Sequence, residues 1–169
     1  MNTFFIADLH FGHKAIIEYE NRPFNSVEDM DKSMIDNWNS VVEKNDKVFL
    51  LGDLSFYNNE KTEKLVRQLK GQKHLILGNH DKKSVEAYYK MGFHRVYDFP
   101  IIIDKLWMLS HRPMYVNKNM PYGNIFGHVH NNKTYADFSE RHFCVSVERI
   151  NYTPISFEKI KHIMNSCEK

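Results

Sequence analysis

The stretch LILGNHD, Leu75 to Asp81, is a run of apolar residues that stops at a glycine and then sets an amide, an imidazole and a carboxylate in succession. The ending recurs. Short β-rich runs such as TFFIAD, KVFLLGD, KHLILGN, KLWMLSH and NIFGHVH finish at or just before a metal-capable group: Asp8 and His10, Asp53, Asn79 and His80, His111, and His128 with His130. In open α/β sheets the crevice beyond the carboxyl ends of the strands is where ligands bind, so five separate strand ends are expected to share one pocket.

Working outward, these runs alternate with segments of helical period in the first half of the chain. In the second half FPIIID, KLWMLSH, NIFGHVH and FCVSVE follow one another. Early βαβ units and a later meander predict a mixed-sheet α/β protein. Ser26 and Asp29 form a capping box ahead of a helix that should bury Val27, Met30, Met34, Ile35, Trp38, Val41 and Val42. Further helices are expected over about 59–69, stopping at Gly71, and about 82–91, stopping at Gly92. A last helix lies within PISFEKIKHIMNSCEK and frays into the tail.

With 169 residues, 42% hydrophobic and 14% aromatic, the chain can bury one sizeable core. No Pro/Gly/Ser-rich linker divides it, and residues 1–169 read as a single domain. The formal charge of +2 carries no strong basic excess, so nucleic acid as a partner is compatible with the sequence but not indicated by it. Cys144 and Cys167 make neither a disulfide framework nor a CxxC motif, which points to a reducing compartment. The N-terminal MNTFFIADLH lacks a basic n-region, and no apolar run reaches the length of a membrane span. A cytoplasmic protein is expected, with nothing in the residues that fixes its oligomeric state.

Taken singly, most of these polar strand ends have an ordinary explanation. Aspartate after a strand is usually a turn or cap residue, and an isolated histidine such as His111 is more often exposed or hydrogen-bonded than a ligand. His128 and His130 are different, since residues two apart on a strand point to one face. The conjunction decides. DLH at 8–10, GD at 52–53, GNHD at 78–81, SH at 110–111 and GHVH at 127–130 occur in one order, and in that order the chain resembles the calcineurin-like metallophosphoesterase superfamily.

The resemblance implies a four-layer αββα sandwich with two mixed β-sheets and a metal site at the strand ends. It implies two divalent cations, one held by Asp8, His10 and His130, the other by Asn79, His111 and His128, with Asp53 bridging. The mixed oxygen and nitrogen ligand set suits Mn, Fe, Zn, Ni or Co. The implied activity is hydrolysis of a phosphate ester, diester or monoester, by a hydroxide held between the metals. His80 would assist the leaving group, and Asp81 would fix its tautomer.

Outside the signature, His13, Arg22 and Arg112 are candidates for contact with substrate phosphate, by a bidentate pair for the arginines. Phe56 and Tyr57 read as core or rim residues that could flank a substrate, and the loop RPMYVNKNMPYGN as a specificity element. Ser110 stands where many members of the superfamily have glycine, and GDLSF lacks a further aspartate that some carry; neither position is a ligand. Two other functions compete, a non-catalytic interaction module on the same fold and a nuclease.

Overall fold

Strand and helix alternate from the start of the chain because apolar runs of four or five residues, too short for a helix, are spaced by capped amphipathic segments. In the computed structural model, which describes residues 1–132 and 140–166, the strands are β1 (Thr3–Ile6), β2 (Lys47–Leu50), β3 (Gln72–Ile76), β4 (Arg95–Tyr97), β5 (Ile101–Ile103), β6 (Trp107–Ser110), β7 (Gly123–Phe126), β8 (His142–Cys144) and β9 (Ile155–Ser156). The helices are α1 (Lys14–Tyr19), α2 (Val27–Val41), α3 (Asn59–Val66), α4 (Val85–Lys90) and α5 (Phe157–Ser166).

Two mixed sheets result. The first runs β4-β3-β2-β1-β9, with β1 to β4 parallel and β9 antiparallel at the edge; the second runs β5-β6-β7-β8. In the second sheet only β5 and β6 pair antiparallel, while β6, β7 and β8 are parallel. The expected meander is therefore corrected to one hairpin followed by two parallel crossovers. Parallel pairing brings the carboxyl ends of β6 and β7 to the same side as one another, which a meander would have separated.

Alternation along each strand divides the core in two. Ile6, Val48, Leu50 and Leu75 meet the helix residues Met30, Met34 and Trp38 on the outer face of the first sheet. Phe5, Phe49 and Ile76 meet Leu109, Ile125 and Val145 between the sheets, where α5 contributes Ile160 and Met164. On the other face of the second sheet Phe126 packs with Val129 and Cys144. The α/β class and the two mixed sheets are as expected. The fourth layer is represented, among the described residues, by this small cluster, to which no helix contributes.

The caps behave as their residue types require. Ser26, Asn58 and Ser84 each accept a hydrogen bond from the backbone N–H three residues on, at 3.1, 2.9 and 3.2 Å. Val41 is half open to solvent at the end of α2, although its neighbour Val42 is fully buried. The strands β4 and β9 and helix α1 lie outside the sequence expectations, since two or three residues of strand and six of helix are too short for a periodicity to declare itself. The helix α4 begins at Val85 rather than near residue 82 because Ser84 caps it. Cys167 and the tail beyond α5 lie outside the described residues. Among the described residues, no helix is long and apolar enough to cross a membrane.

Candidate metal centre

Main-chain hydrogen bonds tie together the loops at the carboxyl ends of the strands, Ala7 bridging the two sheets and the others linking neighbouring loops within one sheet. Ala7 N–H donates to Val145 O at 2.9 Å, Asp8 N–H to Gly52 O at 3.0 Å, His10 N–H to Asp53 O at 3.0 Å and Gly127 N–H to His111 O at 2.9 Å. These bonds stitch together the DLH, GD, SH and GHVH loops. Two glycines allow the approach: a Cβ on Gly52, whose φ is +90°, would run into the His111 ring and the Gly78 backbone, and one on Gly78 would strike the Asp53 carboxylate.

The backbone at the site is strained. Asp8, His10, Asp53, His128 and His130 have φ of 61°, 50°, 57°, 73° and 48°, in the left-handed region where a side chain costs about 1 kcal/mol or more. Glycine would relieve that strain at each position. That these five places carry carboxylates and imidazoles instead puts the value of the site in its side chains.

Those side chains converge in two groups. Ligand atoms of Asp8, His10 and His130 all lie within 4.8 Å of one another, and so do those of Asp53, His111 and His128. Asp53 joins the groups, its Oδ2 lying 3.6 Å from His10 Nε2 and 3.6 Å from His111 Nε2. Asn79 completes the second group, with Oδ1 2.9 Å from His111 Nε2. All seven sequence-predicted ligand residues are brought together.

Their unsatisfied atoms fit a cation. Asp8 Oδ1 and both ring nitrogens of His10 are buried with no hydrogen-bond partner, a costly state for polar atoms. Burial, with only partial relief from His130 and His111, pushes the Asp8 carboxyl up to about 6. Burial likewise holds the His10 imidazole well below its usual range, with His130 and Arg22 adding to the effect, so the ring is neutral and free to ligate. His111 Nδ1 donates to Leu51 O at 2.8 Å, which leaves Nε2 with its lone pair facing Asn79 Oδ1. Two acceptors at that distance repel unless a cation lies between them. The donor set therefore suits divalent metal ions.

Residues outside the expected set hold the ligands in place. Ser146 donates its hydroxyl to Asp8 Oδ2 at 2.6 Å, and His128 N–H donates to the same oxygen at 2.8 Å. Glu148, its side chain 3% exposed, meets His130 Nδ1 at 3.0 Å. Burial alone would lower the His130 pKa, but Glu148, Asp8 and Glu20 together outweigh it and the net shift is upward. This is a carboxylate orienting a histidine whose other nitrogen faces the centre. Neither Ser146 nor Glu148 lies in a motif; their one signal is that both fall in the run FCVSVE, at its polar end.

Two expectations need correction. Arg22 is buried and does not reach the pocket: its guanidinium donates to Glu148 at 2.7 and 2.9 Å and to the carbonyls of Asp8 and Leu9 at 2.8 and 3.0 Å. All its hydrogen-bonding capacity toward a phosphate is spent on tying the DLH loop to Glu148. Asp81, for its part, makes no hydrogen bond to His80. Its Oδ2 accepts from the N–H groups of Asp53 and Gly78, both at 2.8 Å, and its Oδ1 from Leu54 N–H at 3.1 Å and Tyr88 hydroxyl at 3.2 Å. It clamps the GD loop to the GNHD loop.

At the open side of the centre, exposed His80 gives its backbone N–H to Asp53 Oδ1 at 2.9 Å. Its ring lies 5.1 Å from Phe56 and 5.6 Å from His10. His13 packs on Phe56 at 4.1 Å, with Nδ1 buried and unpartnered. Phe56 is thus a rim residue beside the first group of ligands. Arg112 is exposed beside His111, on the side of the second group. His74, which matches no motif, is buried in β3 against Phe49, away from the centre.

Comparison with known proteins agrees with this geometry. The model for calcineurin-like phosphoesterases matches residues 1–164. An uncharacterised protein of Methanocaldococcus jannaschii is 37% identical over 164 residues, covering 93% of this chain and 88% of the relative. The gene 66 protein of Mycobacterium phage L5 is 42% identical over 86 residues, 47% of this chain and 40% of its own. Among solved structures, a protein of unknown function from Aquifex aeolicus superposes with a TM-score of 0.75 at 28% identity, over 96% of this chain and 98% of that one. The fold also matches a nuclease of Pseudomonas putida, with a TM-score of 0.53 at 19% identity over 76% of this chain and 61% of that one.

Proposed function

The chain belongs to the calcineurin-like phosphoesterase family, and from that premise we propose that it is a hydrolase of phosphate esters that works with two divalent cations. Asp8, His10 and His130 hold one cation; Asn79, His111 and His128 hold the other; Asp53 serves both. When bound, the cations supply Lewis-acid polarisation of the phosphoryl group and a water acidic enough to act as nucleophile near neutral pH. With a carboxylate, amide and imidazole donor set, Mn, Fe, Zn, Ni and Co are the fitting metals.

The observation that carries this reading is the position of Asp53 Oδ2, 3.6 Å from a histidine nitrogen of each group. A single carboxylate between two donor clusters is what a pair of cations requires, since each is repelled by the other unless an anion lies between them.

The chain's own residues do the rest. His80, exposed at the mouth and held by its N–H to Asp53, is placed to meet the ester and to protonate the departing alkoxide. Asp81 fixes the loop from which His80 projects, and so acts by positioning. His13 and Arg112, on opposite sides of the mouth, meet the phosphoryl oxygens or the groups attached to them. The bound ester is desolvated on one side by Phe56, which strengthens every polar contact made there.

The test is hydrolysis of an aryl phosphodiester and an aryl phosphomonoester by protein loaded with Mn²⁺, by the same protein after chelation, and by His80→Ala. Turnover that vanishes on chelation and returns with metal is expected. The His80→Ala variant should keep its metal content and lose turnover by about a hundredfold or more. A metal-loaded protein that hydrolyses neither ester would overturn the enzyme reading in favour of a non-catalytic module.

A further inference from the structure

Beside Asn79 and His111 the metal centre opens into a cleft of about 360 Å³. The cleft is walled by Phe99, Pro100, Pro113 and Met114, with Asp98 and Arg112 as its charged residues. Phe99 is 61% exposed there, although it belongs to a short connection between β4 and β5 where any polar residue would serve the fold. A large aromatic side chain left in water beside a pair of prolines is a surface for a flat partner.

The cleft opens beside the second group of ligands, whereas the His80 ring lies beside the first. That ring is against Phe56 and His10, and the cleft contains neither His80, His10 nor Phe56. On the reading of the site proposed above, on which this rests, the leaving group departs toward His80. Whatever fills the cleft is then still attached to phosphorus after the reaction, and a monoester has no such arm.

We infer that the cleft binds the retained arm of a phosphodiester, a planar aromatic group of nucleobase kind seated on Phe99. Stacking on Phe99 and the prolines accepts any flat ring, and Asp98 adds an acceptor for an amino or imino hydrogen at the ring's edge. Arg112, beside His111, faces the negative charge that the product keeps. In the reaction a water oxygen adds to phosphorus, the bond from phosphorus to the leaving oxygen breaks, and that oxygen takes the proton. The product in the cleft is a phosphomonoester of the nucleoside.

The experiment compares two esters with one leaving group, thymidine 5′-(p-nitrophenyl phosphate) and methyl p-nitrophenyl phosphate, on the Mn²⁺-loaded enzyme. The nucleoside ester should have a kcat/KM about tenfold or more above the methyl ester. Phe99→Ala should remove that preference while leaving the rate on the methyl ester unchanged within about twofold; Phe99→Trp should keep it. Equal use of the two esters by the wild type, or a preference that survives Phe99→Ala, overturns the inference and leaves the phosphoesterase reading standing. Hydrolysis of neither overturns both.

Discussion

Asp81 shows how much a single side chain can carry without touching a substrate. Its two oxygens accept from the N–H groups of Asp53, Leu54 and Gly78 and from the Tyr88 hydroxyl. An amide in its place turns one acceptor into a donor that faces a backbone N–H. Asp81→Asn is therefore expected to lower stability by about 2 kcal/mol, read as a reduced urea midpoint in the metal-free protein. A simple tautomer-fixing role would leave that midpoint unchanged. Glu148 acts on the centre in the same indirect way. Glu148→Gln keeps the size of the side chain but weakens its hold on Arg22 and His130, and metal affinity measured by chelator competition should fall about ten- to a hundredfold.

The ligands themselves were readable residue by residue, because DLH, GD, GNHD, SH and GHVH are local patterns that chemistry constrains. Arg22 and Glu148 were not. Their ion pair spans 126 residues and sits behind the ligands, where only tertiary packing defines it. An arginine next to a proline in sequence reads equally well as a phosphate contact or as a buried tie.

At the scale of elements, the parallel order β3-β2-β1 follows from strands alternating with capped helices, and that alternation is visible in the sequence, whereas the three-residue β4 is not. The second half was harder. Consecutive strands with no helical segment between them read as a meander, yet β6, β7 and β8 are parallel. The long segment 111–122 between β6 and β7 is what permits the crossover, although it carries no regular helix to announce it.

The strand β3 makes a prediction of its own. His74, 7% exposed, faces Phe49 and His94, and neither ring nitrogen has a partner among the described residues. Burial, aided by Lys47 and His94, lowers its pKa to about 4 from the 6.5 of an open histidine. Between those values the unfolded chain binds a proton that the folded one refuses. Its contribution is thus fully present above pH 6.5 and is lost as the pH falls toward 4. Unfolding free energies measured at pH 7 and pH 4.5 should differ by about 2 kcal/mol less in His74→Phe than in the wild type.

At the scale of the molecule, the two sheets meet at one end, and there the loops bear the left-handed aspartates and histidines. Strain and unpartnered buried atoms at that end subtract from the stability of the metal-free chain. Cations that bind only the folded form restore it. Each Mn²⁺ at about a hundred times its dissociation constant should stabilise the fold by roughly 2.7 kcal/mol, seen as a rise in Tm that an excess of chelator reverses.

The proposed chemistry depends on Asp53 serving two cations at once. Its most direct test is the metal content of the chain, titrated with Mn²⁺ after exhaustive chelation while hydrolysis of bis(p-nitrophenyl) phosphate is followed in the same samples. Two equivalents should bind per chain, with activity appearing as the second is taken up, and Asp53→Ala should lose both the second equivalent and the activity. A single tightly bound equivalent that gives full activity, or an Asp53→Ala chain that binds two and turns over normally, would contradict it.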